Sequence, residues 1–327
     1  MKLDFNPENN VKILDRFISN FIGRIYDLRY ASKIIKNIHS LIFFKLGLIK
    51  SFDIKLKSGK IIKIRGSKDY RNFWNEEGII SIIDTSSKGK VKLEIHENYI
   101  LIFYNKKAIK FYFRNDEEKK TLCWALREEF AEQQYRYLDV KNKDVLDIGA
   151  YVGDSAIYFG LKGAKKVYAF EPYNWPYLLA KKNIKENNLF DKISIFNSGI
   201  GGHKGFIFID RNFKSNMGSD LRNFNSGKRI RIYELNEIIK KFGLNNAVLK
   251  MDCEGCEYGI ILNASREDLR KFDQVAIEYH YGYKNLIKKL KEAGFLTKTT
   301  RPIHYNDPSK SVNKIGYVGF IYAERIN

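Results

Sequence analysis

The run Val145-Leu-Asp-Ile-Gly-Ala-Tyr-Val-Gly-Asp-Ser155 restricts the fold of this chain more than any other stretch. Val145, Leu146 and Ile148 give the nearly continuous apolar pattern of a strand buried on both faces, as parallel strands are. Gly149 and Gly153 then supply permissive dihedrals and a missing Cβ, which let backbone approach a ligand closely. From Asp154 to Leu161, small and apolar residues recur at helical spacing, so the turn feeds a helix N-terminus that can hold negative charge. Val167-Tyr-Ala-Phe-Glu171-Pro172 follows as a second strand tipped by an acid. Glu171 trails Asp147 by close to the roughly 20 residues at which such an acid meets ribose hydroxyls. Strand, glycine turn, helix and acid-tipped strand together make a half-site for a ribose-bearing ligand.

Two details separate this turn from a dinucleotide fingerprint. Tyr151 stands where G-x-G-x-x-G requires its second glycine, and it would crowd a pyrophosphate. Asp147 precedes the turn, placed either to receive an ammonium or to fix the loop. Both favour a cofactor with a ribose and a cationic amino-acid tail. D-x-G-x-x-x-G with an acid-tipped second strand resembles the S-adenosylmethionine site of class I methyltransferases.

Downstream the alternation continues. Helical patterns at Trp175–Asn188 and Lys284–Ala293, and in the later part of Ile230–Phe242, are interleaved with strands at Lys192–Phe196, Ala247–Met251, Gln274–Glu278 and Gly316–Ala323. Such alternation predicts a mostly parallel sheet with helices on both faces. Ligands in these sheets bind beyond the carboxyl ends of the strands. Gly149, Glu171, Ser198, Asp252 and His280 all follow strands and are expected along one edge.

The second informative stretch is Val248-Leu-Lys-Met-Asp252-Cys-Glu254-Gly255-Cys256-Glu257. Three carboxylates after a buried strand are costly unless they bind cations, metals or each other's protons. Magnesium would suit Asp252, Glu254 and Glu257 as hard ligands. The sequence does not demand it, and no metal site is assigned. Glu254 and Glu257 have a second reading as caps of the following helix. Cys253 and Cys256 form a C-x-x-C pair, but no second pair or close histidines complete four ligands, so they are read as small core-filling residues. Three cysteines in all are too few for a disulfide framework.

VLDIGAYVGDS, VYAFEP, LKMDCEGCE and Ile277-Glu-Tyr-His280, in this order and spacing, resemble the FkbM family of S-adenosylmethionine-dependent methyltransferases. The resemblance covers roughly Glu128 to Ala323; the two cysteines depart from the small aliphatic residues usual beside the Glu-Gly pair. It implies a Rossmann-like class I domain with a mostly parallel seven-stranded sheet. It implies S-adenosylmethionine as cofactor, and a hydroxyl on a sugar, glycan, glycolipid or related small molecule as acceptor. Asp147, Gly149, Ala150 and Gly153 would line the methionine portion and Glu171 would bind the ribose hydroxyls. Asn197 and Ser198 would lie near the adenine, and Asp252 beside the methyl group. Asp252, Glu254 and His280 are the catalytic candidates. His280, whose ordinary pKa of about 6.5 suits a general base, has a hydrogen bond to a loop as its alternative role.

The other residues add bounds. The domain division expected is 1–115 for an N-terminal α+β module and 116–327 for the methyltransferase domain. In the module, Val11 to Ile25 and Ala31 to Lys45 read as basic amphipathic helices, which either pack on the neighbouring domain or lie on a membrane surface through residues 1–50. Phe52 to Arg114 reads as an antiparallel meander, with turns at Ser58-Gly59, Glu97-Asn98 and Asn105-Lys106. A helix is expected from Asn115 to about Tyr137. No apolar run reaches the roughly eighteen residues of a membrane span, which predicts a cytoplasmic protein. The formal charge of +20 would attract polyanions, making RNA the alternative acceptor. Both residues 1–140 and 141–327 carry the cationic surplus, without a recognised nucleic-acid motif.

Overall fold

The computed structural model describes residues 28, 30–209, 226–306 and 315–326. The helix expected at Val11–Ile25 lies outside them. Two compact units divide the chain, one drawn from Met1–Ile109, Phe113–Gln133 and His304–Asn313, the other from Lys110–Tyr112, Gln134–Ile303 and Lys314–Asn327. No helix among the described residues is long and apolar enough to cross a membrane.

In the first unit, the helix expected over Ala31–Lys45 is broken. Ile35 leaves it to bridge Leu56, and the Asn37 amide donates to the Asp53 carbonyl at 2.8 Å and accepts from the Lys55 N–H at 2.9 Å. Helix resumes at Ile38–Lys45. Strands β1 (Phe52–Lys55) and β2 (Ile61–Ile64) form the antiparallel hairpin expected around Ser58-Gly59. Two helices, Ser67–Asn75 and Glu77–Ser87, then fill the stretch between the expected strands, which the sequence pattern left unassigned. Ile79, Ile82 and Ile83 are fully buried, at the three- and four-residue spacing of a helix face. Strands β3 (Lys92–Ile95), β4 (Tyr99–Tyr104) and β5 (Lys107–Tyr112) make a separate three-stranded sheet. Its second turn places both Asn105 and Lys106 at positive φ, the backbone of a tight hairpin. Asn115 caps the next helix, Asp116–Leu126, by accepting from the Glu118 N–H at 3.0 Å. That helix passes into a single π turn at Arg127–Ala131 and stops short of Tyr137.

The second unit is built on strands β6 (Asp144–Ile148), β7 (Lys166–Phe170), β8 (Ile193–Phe196), β12 (Ala247–Met251), β13 (Phe272–Tyr279), β14 (Phe295–Thr299) and β16 (Ile315–Arg325). Their order is β14-β16-β13-β12-β6-β7-β8, and β15 (Ile303–Asn306) precedes β16 in the chain. The five strands from β8 to β13 are parallel to their neighbours, whereas β16 runs antiparallel to both β13 and β14. Helices Asp154–Leu161, Asn174–Glu186, Leu235–Phe242, Cys256–Asn263 and Lys284–Glu292 fall between the strands. This is the Rossmann-like class I methyltransferase sheet. Leu146, Ile148, Leu249, Met251, Val275 and Ile277 form its buried centre, each at most 2% exposed. Chain order reverses between β6 and β12, so the switch point lies at their carboxyl ends. A small sheet of β9 (Gly199–Ile200), β10 (Gly205–Ile209) and β11 (Lys228–Tyr233), ordered β10-β11-β9, is a further element that the periodicity left largely unread.

Candidate active site

Gly149 leaves β6 with φ +81°, and a Cβ on it would come 1.8 Å from the Asp252 carbonyl oxygen. The turns after β6 and β12 therefore touch backbone to backbone, which a side chain would prevent. The Gly149 and Ala150 N–H groups both donate to the Phe170 carbonyl, at 3.0 and 3.1 Å, tying the turn to β7. Gly153, at φ +84°, opens the helix Asp154–Leu161. Asp154 is 7% exposed, and burial raises its pKa to about 7.

Glu171 ends β7 and is 5% exposed. One carboxylate oxygen accepts from the Tyr151 N–H at 3.0 Å and the other from the Tyr173 N–H at 2.8 Å. Burial raises its pKa to about 8, with these two bonds pulling the other way. Asn197 donates to the carbonyls of Glu171 and Pro172, at 3.1 and 2.9 Å, and accepts from Lys228 at 2.5 Å. Buried Ser198 follows it. Glu171, Asn197 and Ser198 thus gather at the β7 and β8 ends.

Asp147 is fully buried, with Ser155 Oγ donating to one oxygen at 2.7 Å and Lys250 Nζ lying 2.9 Å from the other. Register places Lys250 of β12 beside Asp147 of β6, on the same face. Lys250 also donates to the Gly149 carbonyl at 2.7 Å. Burial raises the Asp147 pKa, and Lys250 pulls it back. Of the two roles open to Asp147, fixing the loop is the one these contacts perform. Lys250 escaped the reading of the sequence, although a lone lysine inside Val248-Leu-Lys-Met was a signal that a buried acid lay opposite.

Asp252, Glu254 and His280 converge where β12 and β13 end. His280 Nε2 lies 3.2 Å from Glu254 and 3.9 Å from Asp252, while Nδ1 lies 3.4 Å from Glu257. His280 is only 3% exposed. Burial by itself would lower its pKa, but Glu257 and Glu254 reverse this and hold it well above the usual histidine range. With two carboxylates flanking the ring, His280 does not have the ordinary histidine pKa that would suit a base near neutrality. Glu257 is turned inward and accepts from the Cys253 and Gly255 N–H groups, both at 2.8 Å. It fastens the turn that carries Asp252 and Glu254. Cys253 and Cys256 are joined in a disulfide across this turn, so reading them as core-filling thiols is corrected. Their Cα atoms lie 5.5 Å apart, ordinary disulfide range. Tyr258 adds a cross-tie that sequence alone did not suggest: its hydroxyl donates to the Gly282 carbonyl at 2.5 Å and accepts from the Tyr281 N–H at 2.8 Å.

A family model described as the methyltransferase FkbM domain matches residues 147–297. The chain is also 31% identical over 176 residues to uncharacterized protein 158B of Sulfolobus islandicus rod-shaped virus 1, spanning 53% of this chain and 82% of that protein. The chain belongs to the FkbM methyltransferase family. Solved structures similar to this methyltransferase include the METTL16 MTase domain, at 11% identity and a TM-score of 0.41, covering 83% of this chain and 85% of that one. Another is M. jannaschii TYW2 in complex with AdoMet, at 15% identity and a TM-score of 0.35, covering 72% and 90%.

The residues present fit S-adenosylmethionine, the cofactor that the family resemblance implies. Glu171 has both oxygens anchored by backbone N–H groups, yet each oxygen keeps a lone pair for a ribose hydroxyl. The Gly149 turn presents bare backbone at the switch point. S-adenosylmethionine supplies a methyl group activated on a sulfonium. The protein's part is to orient the acceptor toward it and to manage the acceptor's proton.

Proposed function

We propose that this enzyme methylates a hydroxyl oxygen on a sugar, glycan or related small molecule. The observation that carries the reading is the Asp252, Glu254 and His280 cluster, placed against the glycine turn through the Gly149–Asp252 backbone contact. A hydroxyl must shed a proton as its oxygen attacks, and the Asp252 and Glu254 carboxylates offer positions to receive it, with His280 ion-paired beside them. Asp252 is the most open of them, with 29% of its side chain exposed, and would face the acceptor, while Glu254 and His280 act behind it. Asp147, Gly149, Ala150 and Gly153 shape the methionine end, Glu171 takes the ribose, and Asn197 and Ser198 border the adenine. The test is transfer of labelled methyl from S-adenosylmethionine to a panel of sugars and glycolipids. Labelling of a hydroxyl by the wild type, lost in Asp252→Asn, is the expected result. Labelling confined to amines or carboxylates would sink the reading.

A second reading, an RNA acceptor, is favoured by the β10–β11 ribbon. Phe206 and Phe208 are 42% and 39% exposed, and the register sets Arg231 opposite Phe206 and Arg229 opposite Phe208. The Arg229 guanidinium lies 3.5 Å from the Phe206 ring centre. Alternating rings and cations suit bases and phosphates. Under this reading RNA binds with an affinity that falls steeply with salt and drops in Arg229→Ala.

A further inference from the structure

Asp252, Glu254 and His280 differ from an ordinary acidic cluster in their chemistry. They bring two carboxylates and one imidazole from the ends of two strands, and one ligand atom from each lies within 4.8 Å of the others. Metal–ligand bonds of roughly 2.0–2.2 Å place neighbouring ligand atoms about 3 Å apart and opposite ones about 4 Å apart. The 3.2 and 3.9 Å separations at His280 Nε2 match that spacing. His280 is 3% exposed, directs Nε2 into the cluster, and sets Nδ1 on the other side of the ring 3.4 Å from Glu257. Glu257 is outside the set, because it faces Nδ1, the ring nitrogen directed away from the cluster. Lys250, the nearby buried cation, is committed to Asp147 and the Gly149 carbonyl.

We propose that Asp252, Glu254 and His280 bind one divalent first-row transition ion, with positions left open for the oxygen of the acceptor hydroxyl. The mixed nitrogen and oxygen donors favour an ion such as Mn²⁺ over Ca²⁺ or Mg²⁺, which prefer oxygen alone. The proposal rests on the hydroxyl-methylation reading and deepens it. A bound cation acidifies a coordinated hydroxyl as it does a coordinated water. The hydroxyl proton passes to a carboxylate oxygen of Asp252 and on to solvent, an oxygen lone pair forms the new O–C bond, and the electron pair of the broken C–S bond stays on the departing thioether. Atoms and charge balance without any oxidant or reductant.

The experiment is Mn²⁺ binding by the chelator-stripped full chain, followed by electron paramagnetic resonance and calorimetry. Glu254→Gln, His280→Gln and, as a control on an exposed helix, Glu267→Gln are compared with the wild type. Circular dichroism checks that each is folded, and S-adenosylmethionine binding is measured separately on each protein. One Mn²⁺ per chain is expected, weakened at least about tenfold in Glu254→Gln and His280→Gln and unchanged in Glu267→Gln. No uptake by the wild type, or equal uptake by all four proteins, overturns the ion site. Site-specific Mn²⁺ binding by a wild type that fails to bind S-adenosylmethionine would keep the ion site and overturn the methyl-transfer reading on its own.

Discussion

Replacing Lys250 with Met tests the electrostatic joint between β6 and β12. The substitution keeps the length and apolar stem but removes the charge, which leaves Asp147 fully buried with Ser155 as its remaining donor. It also removes the bond to the Gly149 carbonyl. Breaking a buried pair from one side is destabilising by about 3–5 kcal/mol, chiefly because the surviving charge is left uncompensated. For a unit of this size that corresponds to roughly 6–20 °C in Tm. Asp147→Asn removes the counter-charge of Lys250, which keeps its bond to the Gly149 carbonyl, and should also lower stability. The double variant has no charge left to strand, so its loss should fall short of the two single losses summed by about 1–3 kcal/mol. Thermal unfolding of the four proteins, followed by circular dichroism at one pH and salt, gives the cycle. If Lys250→Met melts within about 2 °C of the wild type, or the double loss equals the sum, the pair is not the joint described here.

Gly149→Ala combines a left-handed backbone with a Cβ placed 1.8 Å from the Asp252 carbonyl, so the turn must shift and S-adenosylmethionine affinity should collapse; unchanged affinity by calorimetry would refute the contact. Glu171 has a folded pKa of about 8 against an ordinary 4.5. The folded protein keeps that proton through a window in which the unfolded chain has released it. Its contribution to stability is therefore full below the lower value and is lost as pH rises through the higher one. Glu171→Gln should flatten the slope of Tm against pH across this window in cofactor-free protein; an unchanged slope would rule out the assignment. Replacing both Cys253 and Cys256 with Ser releases a short closed loop and should lower stability by about 2 kcal/mol in denaturant unfolding. Equal stability of the two proteins under oxidising conditions would show that the bridge does not hold the turn.

The parallel sheet was legible because a strand buried on both faces has to be apolar almost throughout, and runs such as Val145–Ile148 and Ala247–Met251 are. Their alternation with helical segments set Gly149, Glu171, Ser198, Asp252 and His280 at strand ends, and parallel pairing brought those ends to one edge. Phe52–Arg114 was less legible. The helices Ser67–Asn75 and Glu77–Ser87 sit between strands of similar composition, and the isoleucines of the second fit either period until packing decides.

Local pattern determined the strand, glycine turn and acid-tipped strand, since glycine's freedom and the burial of apolar runs act within a few residues. Sequence likewise located Asp252, Glu254 and His280, but not their electrostatic relations. Only the tertiary structure paired Lys250 with Asp147 across neighbouring strands. It also flanked His280 with carboxylates that reverse the effect of burial on its pKa, turned Glu257 to its own backbone, and bridged Cys253 to Cys256. These outcomes depend on register and on distances between segments far apart in the chain, and Coulomb and hydrogen-bond energies are set by those distances, not by spacing along the sequence.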